Sequence, residues 1–435
     1  MLAVLLGFCA AAVHLSALAG PHPRSLRLDS LRPLAAAAGA PSRAATVQEV
    51  RALWVLRTSL SSPAAVQQLV QSARDNGFNV LLVQVRGRGD AYYQSNLEPR
   101  AADLSKQPDT FDPLASVIEA ARPAGLQVHA WVNVNFVSSA ADVPGAREHI
   151  IHRHPEWLMV PRDLAQDLAR VDPESPAYVG KLARWTRAQS AGIEGLYSSP
   201  LVPAAVEHTV AVIRDIAKHY RIDGVHLDYI RYPSDRFDYS RAAVRAFAAT
   251  IQPKLTAAVR SHLDSLERDD LFAYTDAFPG EWRQFRVNRL TALVRRLREV
   301  VKAERQDASV TVATAPDLQE ARDGRLQDWG AWLENGLVDA ICPMAYTPEA
   351  ARFAEHIAAA RQVAGERPIW AGIGAYRLTP TQTIENIQAA RKLGASGIVL
   401  FSYDSMTDPR QSTPDYLAIV SRAAFGRRIA ATGSR

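Results

Sequence analysis

One carboxylate stands in a stretch that otherwise has the composition of a buried strand. Asp228 lies in the segment Asp223-Gly-Val-His-Leu-Asp-Tyr-Ile-Arg-Tyr-Pro233. A charge in such apolar surroundings destabilises a fold unless it is paired or has a chemical role. Two roles fit this position: an ion pair with Arg231 or Arg86, or a reacting acid. We favour the reacting acid.

Acid–base chemistry on a glycosidic bond needs a second carboxyl group. One group gives a proton to the leaving oxygen, and the other acts as nucleophile or as base toward water. Asp317 is our first choice as the partner of Asp228, because it follows the next predicted strand. Its alternative role is to cap a helix. Asp90 and Glu281 are the competing candidates.

Other polar and aromatic residues fall at the ends of predicted strands or directly after them. Aromatic rings there can stack on sugars, and arginines can bind acidic groups or orient carboxylates; core packing and ion pairs are the alternative roles. The predicted substrate-binding residues are Arg57, Arg86, Asp90, His129, Trp131, Asn133, His226, Arg231, Tyr346 and Tyr403.

A metal site is the competing chemistry. His129, His226, Asp228 and Asp317 are competent ligands if they meet at one mouth. The first predicted strand, however, has no His-x-His pair. We therefore predict neither a metal nor another cofactor, and a metal-dependent hydrolase is the lesser hypothesis.

The elements that must position these residues alternate between short β-branched runs and amphipathic helices. About eight such units predict an α/β protein, a (β/α)₈ TIM barrel, whose active-site mouth lies at the carboxyl ends of the strands. The predicted strands are Arg51–Arg57, Asn79–Arg86, Gln127–Asn135, Gly224–Arg231, Ser309–Ala315, Val338–Tyr346, Pro368–Tyr376 and Gly397–Tyr403.

Two connections are much longer than the others. One runs from Phe136 to about Val202 after strand three, and the other from Ser234 to about Trp282 after strand four. Long connections in compact domains are usually functional, and on this fold they crown the mouth. We expect them to wall a substrate cleft.

Composition agrees with one large folded domain at residues 50–425. The chain has 435 residues, 48% hydrophobic and 22% charged. A net charge of +5 mildly favours anionic partners such as an acidic polysaccharide. Because no zinc-finger spacing, RNA-binding aromatic motif or compact basic block occurs, nucleic acid is not an expected partner.

The first residues resemble a signal for export. Residues 1–19 are apolar and end in Ala17-Leu-Ala19, a pattern that signal peptidase accepts. A disordered linker at 20–49 and a disordered tail at 426–435 are expected on either side of the barrel. We predict a secreted or periplasmic protein with no stable membrane span after the signal is removed; an uncleaved anchor is the alternative.

Several motifs, in order along residues 50 to 405, resemble the glycosyl hydrolase-like 10 family. The motifs are Arg51-Ala-Leu-Trp-Val, Val83-Gln-Val-Arg-Gly-Arg-Gly-Asp-Ala-Tyr-Tyr93, Gly224-Val-His-Leu-Asp-Tyr-Ile-Arg-Tyr-Pro233, Glu281-Trp-Arg-Gln-Phe-Arg286, Gln327-Asp-Trp-Gly-Ala-Trp332, Val338-Asp-Ala-Ile-Cys-Pro-Met-Ala-Tyr346 and Gly397-Ile-Val-Leu-Phe-Ser-Tyr403.

The resemblance implies a TIM barrel, export in bacteria and, in some members, cleavage of peptidoglycan glycan strands stripped of their peptides. It implies that Asp228 is the catalytic acid or nucleophile. Many members have a second Asp directly after this one, where this chain has Tyr229. We therefore predict an exported glycoside hydrolase acting on a polysaccharide; the alternative is a catalytically silent barrel that binds glycan.

Overall fold

The computed structural model describes residues 48–408, 410 and 413–426. The expected signal peptide and nearly all of the expected linker lie outside the described residues, as does the expected tail after Gly426. None of the helices in the described ranges is long and apolar enough to cross a membrane.

Eight parallel strands form the centre of the molecule. Their order is β8-β7-β6-β3-β2-β1-β10-β9, and parallel bridges from Ile341 to Ile369 and from Met344 to Gly372 join the two outer strands. The predicted (β/α)₈ barrel is therefore confirmed. The strands are β1 Val50–Val55, β2 Val80–Arg86, β3 Gln127–Asn133, β4 Phe136–Ser139, β5 Gly195–Tyr197, β6 Gly224–Asp228, β7 Ser309–Thr314, β8 Ala340–Pro343, β9 Trp370–Ile373 and β10 Gly397–Phe401. The short strands β4 and β5 pair with each other as a separate antiparallel sheet.

Capping side chains and prolines mark where several helices begin. Ser62 and Asp112 accept hydrogen bonds from the first turns of the helices they precede, and each of those helices opens with a proline. The helices are α1 Pro63–Asp75, α2 Pro113–Ala121, α3 Ile150–Arg153, α4 Arg162–Leu168, α5 Pro176–Ala188, α6 Pro203–His219, α7 Arg241–Ile251, α8 Ala257–Leu266, α9 Ala273–Ala277, α10 Pro279–Glu304, α11 Leu318–Gly324, α12 Trp329–Glu334, α13 Ala350–Ala364, α14 Pro380–Lys392, α15 Tyr403–Thr407 and α16 Tyr416–Phe425.

The core has two layers, one inside the barrel and one between the barrel and its helices. Both faces of the strands are covered, so all seven residues of β2 are buried. Large side chains such as Trp54 and Trp131 fill the interior beside small ones such as Ala52 and Cys342. The barrel is therefore packed throughout, and a ligand can only enter at an end.

The two long connections fold into helices and pack on each other. The segment after β3 carries β4, α3, α4, α5 and β5, and the segment after β6 carries α7, α8, α9 and the start of α10. They share a second apolar core that includes Leu182, Phe247 and Trp282. The buried carboxylate of Asp238 accepts hydrogen bonds from the backbone N–H groups of Val160 and Ser240, both at 2.8 Å, and so ties the two segments together.

A buried ion pair braces the strand ends. Arg86 donates to Glu98 through Nη2 at 2.6 Å and Nε at 2.8 Å, and each side chain is 1% exposed. Arg86 also donates to the carbonyls of Asn133 and Val134, just where β3 ends. Burial alone would raise the pKa of Glu98, but Arg86 and His208 outweigh it and lower the pKa to about 2. Arg86 thus has a structural partner for its charge.

The pair predicts how stability depends on acid. Since the pKa of Glu98 is lowered on folding, its stabilisation is present above its ordinary value of 4.5 and is lost as the pH falls toward 2. Glu98→Gln leaves Arg86 buried without a counter-charge, so we expect a loss of about 3–5 kcal/mol in the free energy of unfolding at pH 7. Urea unfolding at pH 7 and pH 4 measures this loss, which should be smaller at pH 4.

Glu207→Gln is the matched control, because Glu207 pairs with Arg296 on the surface. Exposed ion pairs contribute little, so this variant should unfold close to the wild type. Equal losses in both variants would show that the buried pair has no special role.

Candidate active site

A cavity of about 490 Å³ opens at the carboxyl ends of the strands. Its walls come from β1, β2, β3, β6 and β10, from the turns that follow β1, β2, β6 and β8, and from the long connection after β3. Six of the sequence-predicted site residues line it: Arg57, Trp131, Asn133, Asp228, Arg231 and Tyr346.

Asp228 is the last residue of β6 and is only 7% exposed. Its Oδ2 accepts a hydrogen bond from Trp131 Nε1 at 3.1 Å, and its Oδ1 accepts one from the backbone N–H of Tyr229 at 2.7 Å. Burial raises the pKa of Asp228, and the nearby Arg231 together with these two donors only partly opposes the rise. A carboxyl group with a raised pKa is suited to donate a proton.

The chain turns sharply after Asp228. Tyr229 has a φ of 48°, a left-handed conformation that costs a residue with a side chain roughly 1–3 kcal/mol. This turn is why β6 ends at Asp228, three residues before the predicted end. The Tyr229 ring lies 4.8 Å from the ring of Phe136, and both line the cavity. Position 229, directly after Asp228, is therefore part of an aromatic wall.

The cavity contains a second carboxylate that the sequence analysis missed. Glu194 immediately precedes β5, in the long connection after β3. Its Oε1 accepts from Arg231 Nη2 at 2.8 Å, and its Oε2 accepts from the Tyr197 hydroxyl at 2.7 Å. Burial alone would raise the pKa of Glu194, but Arg231 and Tyr197 outweigh it and hold the pKa below its ordinary value. Glu194 is thus held as the ionised form.

Arg231 acts on both carboxyl groups. Its guanidinium bonds to Glu194, lies 4.7 Å from the centre of the Tyr229 ring and lowers the pKa of Asp228 by its charge. Since Arg231 is 9% exposed, water screens these interactions only weakly. The two carboxyl groups are therefore electrostatically linked through one cation.

The floor and one wall of the cavity are aromatic. Trp54 meets Tyr346 edge to face, with ring centres 6.1 Å apart, and Tyr346 stacks near Phe401 at 5.5 Å. Trp131 shares its N–H between Asp228 and Asn133, whose amide in turn donates to the backbone of Gly87 at 2.8 Å. Rings with adjacent polar groups make a surface suited to a sugar.

Two predicted substrate ligands lie inside the barrel, apart from the residues that line the cavity. His226 Nε2 accepts the Trp54 indole N–H at 3.0 Å, so its Nδ1 carries the proton of the neutral ring and donates to Thr311 Oγ1 at 2.9 Å. Burial lowers the pKa of His226 to about 3 and that of His129 to about 4. Both rings are therefore neutral. His226 supports the aromatic floor through Trp54, whereas the His129 ring lies 5.7 Å from that of Trp370, which does not line the cavity.

The metal hypothesis required these histidines to converge with Asp228. Both ring nitrogens of His226 are already engaged by Trp54 and Thr311. Within the ranges that the structure describes, no group of three or more His, Cys, Asp or Glu is placed to hold a metal ion.

Asp317, the predicted catalytic partner, caps a helix instead of facing the cavity. It is exposed at the start of α11, and its Oδ1 accepts from the backbone N–H of Glu320 at 2.7 Å. The structure therefore does not bring it together with Asp228. The competing candidate Glu281 lies in the first turn of α10 and does not line the cavity either.

Three further residues that were predicted to bind substrate do not line the cavity. Arg86 is held in its buried pair with Glu98. Asp90 accepts from the backbone N–H of Arg88 at 2.9 Å and contacts Arg57 at 3.4 Å, so it supports two cavity residues. Tyr403 is buried at the start of α15.

The barrel has the TIM-barrel fold that solved glycoside hydrolases share. The glycoside hydrolase domain of PgaB (BpsB) from Bordetella bronchiseptica shares this fold with a TM-score of 0.59 and 16% identity, over 87% of this chain and 99% of that one. Alpha-L-fucosidase isoenzyme 2 from Paenibacillus thiaminolyticus gives a TM-score of 0.54 at 16% identity, over 87% of this chain and 49% of that one.

The chain belongs to the Glycosyl hydrolase-like 10 family, whose model matches residues 49–390, as the motifs indicated. Glycosyl hydrolase YngK of Bacillus subtilis is 24% identical over 332 residues, which are 69% of this chain and 54% of that protein. Glycosyl hydrolase DigH of Escherichia coli K12 is 22% identical over 337 residues, 69% of this chain and 66% of that protein. The chain thus spans about half to two thirds of these relatives.

The buried His226 predicts a specific pH dependence of stability. His226→Leu leaves the Trp54 N–H without its acceptor, so we expect a loss of about 1–3 kcal/mol at pH 7.5. Because the pKa of His226 is lowered on folding, the wild type loses stability as the pH falls from 6.5 toward about 3, and the variant lacks this contribution. Urea unfolding at pH 7.5 and pH 5 should show the gap between the two proteins narrowing at pH 5; a gap of constant size contradicts the assignment.

Proposed function

We propose that the protein is an exported glycoside hydrolase that cleaves O-glycosidic bonds of a polysaccharide with Asp228 and Glu194. The observation that carries the proposal is one aromatic-walled cavity with two carboxyl groups whose pKa values are shifted in opposite directions. Such a pair is the arrangement that separates an acid from a base or nucleophile. A barrel that only binds glycan does not need two carboxyl groups with oppositely shifted pKa values.

In this proposal Asp228 donates its proton to the oxygen of the leaving sugar as the glycosidic bond breaks. The indole N–H of Trp131 and the backbone N–H of Tyr229 then stabilise the carboxylate that forms, because both already point at its oxygens. These two donors do not have to reorganise during the reaction.

Glu194 supplies the second function, either by attacking the anomeric carbon or by taking a proton from the attacking water. Arg231 and the Tyr197 hydroxyl hold its two oxygens, so the carboxylate is fixed in place and ionised. The aromatic floor formed by Trp54 and Tyr346 accommodates the sugar ring.

For the substrate we propose a glycan that carries acidic groups, with peptidoglycan glycan strands as the first candidate. Support comes from Arg57 and Arg88 on the cavity wall and from the net charge of +5. The signal-like segment at residues 1–19 supports a secreted or periplasmic location.

Substitution of each carboxylate tests the proposal. Asp228→Asn and Glu194→Gln should each lower kcat by about 10²–10⁴-fold, the range for loss of a general acid or base. The assay is release of reducing ends from purified peptidoglycan glycan strands and from a panel of bacterial and plant polysaccharides.

Asp317→Asn is the matched control. Asparagine caps a helix as well as aspartate does, so this variant removes only the charge and should keep its rate within about twofold. A rate loss in Asp317→Asn with an active Glu194→Gln would return the second role to Asp317. Full activity in Asp228→Asn would refute the mechanism.

The pH dependence of kcat/KM tests the link through Arg231. Activity should fall toward acid as Glu194 is protonated and toward alkali as Asp228 loses its proton. Since the charge of Arg231 lowers the pKa of both groups, Arg231→Gln should move both limbs to higher pH. Arg88→Gln, which removes another cavity arginine, is the control and should leave both limbs in place. Limbs that stay fixed in Arg231→Gln contradict the assignment.

A further inference from the structure

One large aromatic ring beside the cavity is left open to solvent. Tyr376 is 44% exposed and lies in the short turn Ala375–Arg377, after β9. Other exposed large apolar side chains, such as Leu266 on α8 and Val363 on α13, lie on helices that contribute nothing to the cavity wall. Tyr376 therefore differs from them in its position.

The Tyr376 ring stands nearly perpendicular to two rings of the cavity wall. Its ring centre lies 6.1 Å from that of Tyr346 and 5.8 Å from that of Phe401, with interplanar angles of 84° and 83°. Tyr346 and Phe401 both line the cavity, and both also contact Trp54. The aromatic surface thus runs without interruption from the cavity floor to Tyr376.

The backbone at Gly374 packs closely against Tyr346 and Tyr376. A Cβ atom there would lie 3.0 Å from Tyr346 Cβ and 3.1 Å from Tyr376 Cε1, so a larger residue would require these side chains to shift by a few tenths of an ångström. Arg377 stabilises the same turn, because its Nη1 donates to the Tyr346 carbonyl at 3.1 Å and its guanidinium lies 5.7 Å from the Tyr376 ring centre.

Core packing does not account for Tyr376, because its side chain is 44% exposed. The core residue Tyr416 is 1% exposed, and its hydroxyl bonds to Thr383. The Tyr376 hydroxyl, by contrast, makes no hydrogen bond to the described part of the chain. A tyrosine ring that is 44% exposed beside the cavity, with an unbonded hydroxyl, offers an open surface to a ligand.

We infer that Tyr376 is an outer sugar-binding platform, on which a pyranose ring of the substrate stacks while the scissile bond lies at Asp228. The inference rests on the proposed function and narrows its substrate class to glycan chains that extend past the cavity. A chain too short to reach Tyr376 gains nothing from it.

The test compares chain lengths in four proteins: the wild type, Tyr376→Ala, Tyr376→Phe and Leu266→Ala. Substrates are peptidoglycan glycan strands separated by length, from the disaccharide upward. For the longest chain that is cleaved, Tyr376→Ala should lower kcat/KM about 3- to 10-fold, the effect of one lost ring contact, with less than about twofold change for the shortest. Tyr376→Phe keeps the ring and should restore most of the preference, and Leu266→Ala should match the wild type.

Binding measured by calorimetry in the Asp228→Asn background separates the inference from the proposed function. If the wild type cleaves nothing but the Tyr376→Ala change weakens binding of the long chains alone, the platform stands and the catalytic proposal fails. If the wild type cleaves glycans and Tyr376→Ala lowers kcat/KM equally at every length, or leaves it unchanged, the platform is refuted and the catalytic proposal stands. A protein that neither cleaves nor binds any of these glycans overturns both.

Discussion

The guanidinium group of Arg231 is the charge on which the site depends. It is nearly buried, it bonds to Glu194, and its field reaches Asp228. Burial by itself raises the pKa of both carboxyl groups in the cavity, and the charge of Arg231 opposes the rise at each of them. Arg231 pairs directly with Glu194 but acts on Asp228 only through its charge. The pKa of Glu194 is therefore lowered, whereas that of Asp228 stays raised.

The position of Arg231 follows from the barrel itself. Parallel register sets Asp228 opposite Asn133, so the ends of β6 and β3 stand side by side at the mouth. The left-handed turn at Tyr229 then ends β6 and sends the chain on to Arg231 at the cavity wall. The strained residue is held by its ring contact with Phe136, which belongs to the long connection after β3.

Part of the fold and of the site could be predicted from the sequence, because the signals for them lie in short stretches of residues. Eight apolar runs specify the barrel, and a carboxylate inside one of them marks Asp228. The sequence pattern favoured a catalytic role for Asp317 because a helix N-cap and a catalytic acid can both follow a strand. In the structure Asp317 accepts a hydrogen bond from the Glu320 backbone N–H, as an N-cap does. Glu194 could not be found, since its place in the cavity depends on β5 pairing with β4 across about sixty residues.

The second carboxyl group in the cavity comes from a distant part of the chain, whereas the residue directly after Asp228 is aromatic. Tyr229 fills the wall between Phe136 and Arg231 with an aromatic ring. Its phenol is neutral at neutral pH, and burial raises its pKa further above the ordinary value of 10. Arg231 is therefore left free to pair with a carboxylate from another element, and Glu194 occupies that place. In the proposed mechanism, the second carboxyl group accordingly depends on the connection after β3 as much as on the barrel.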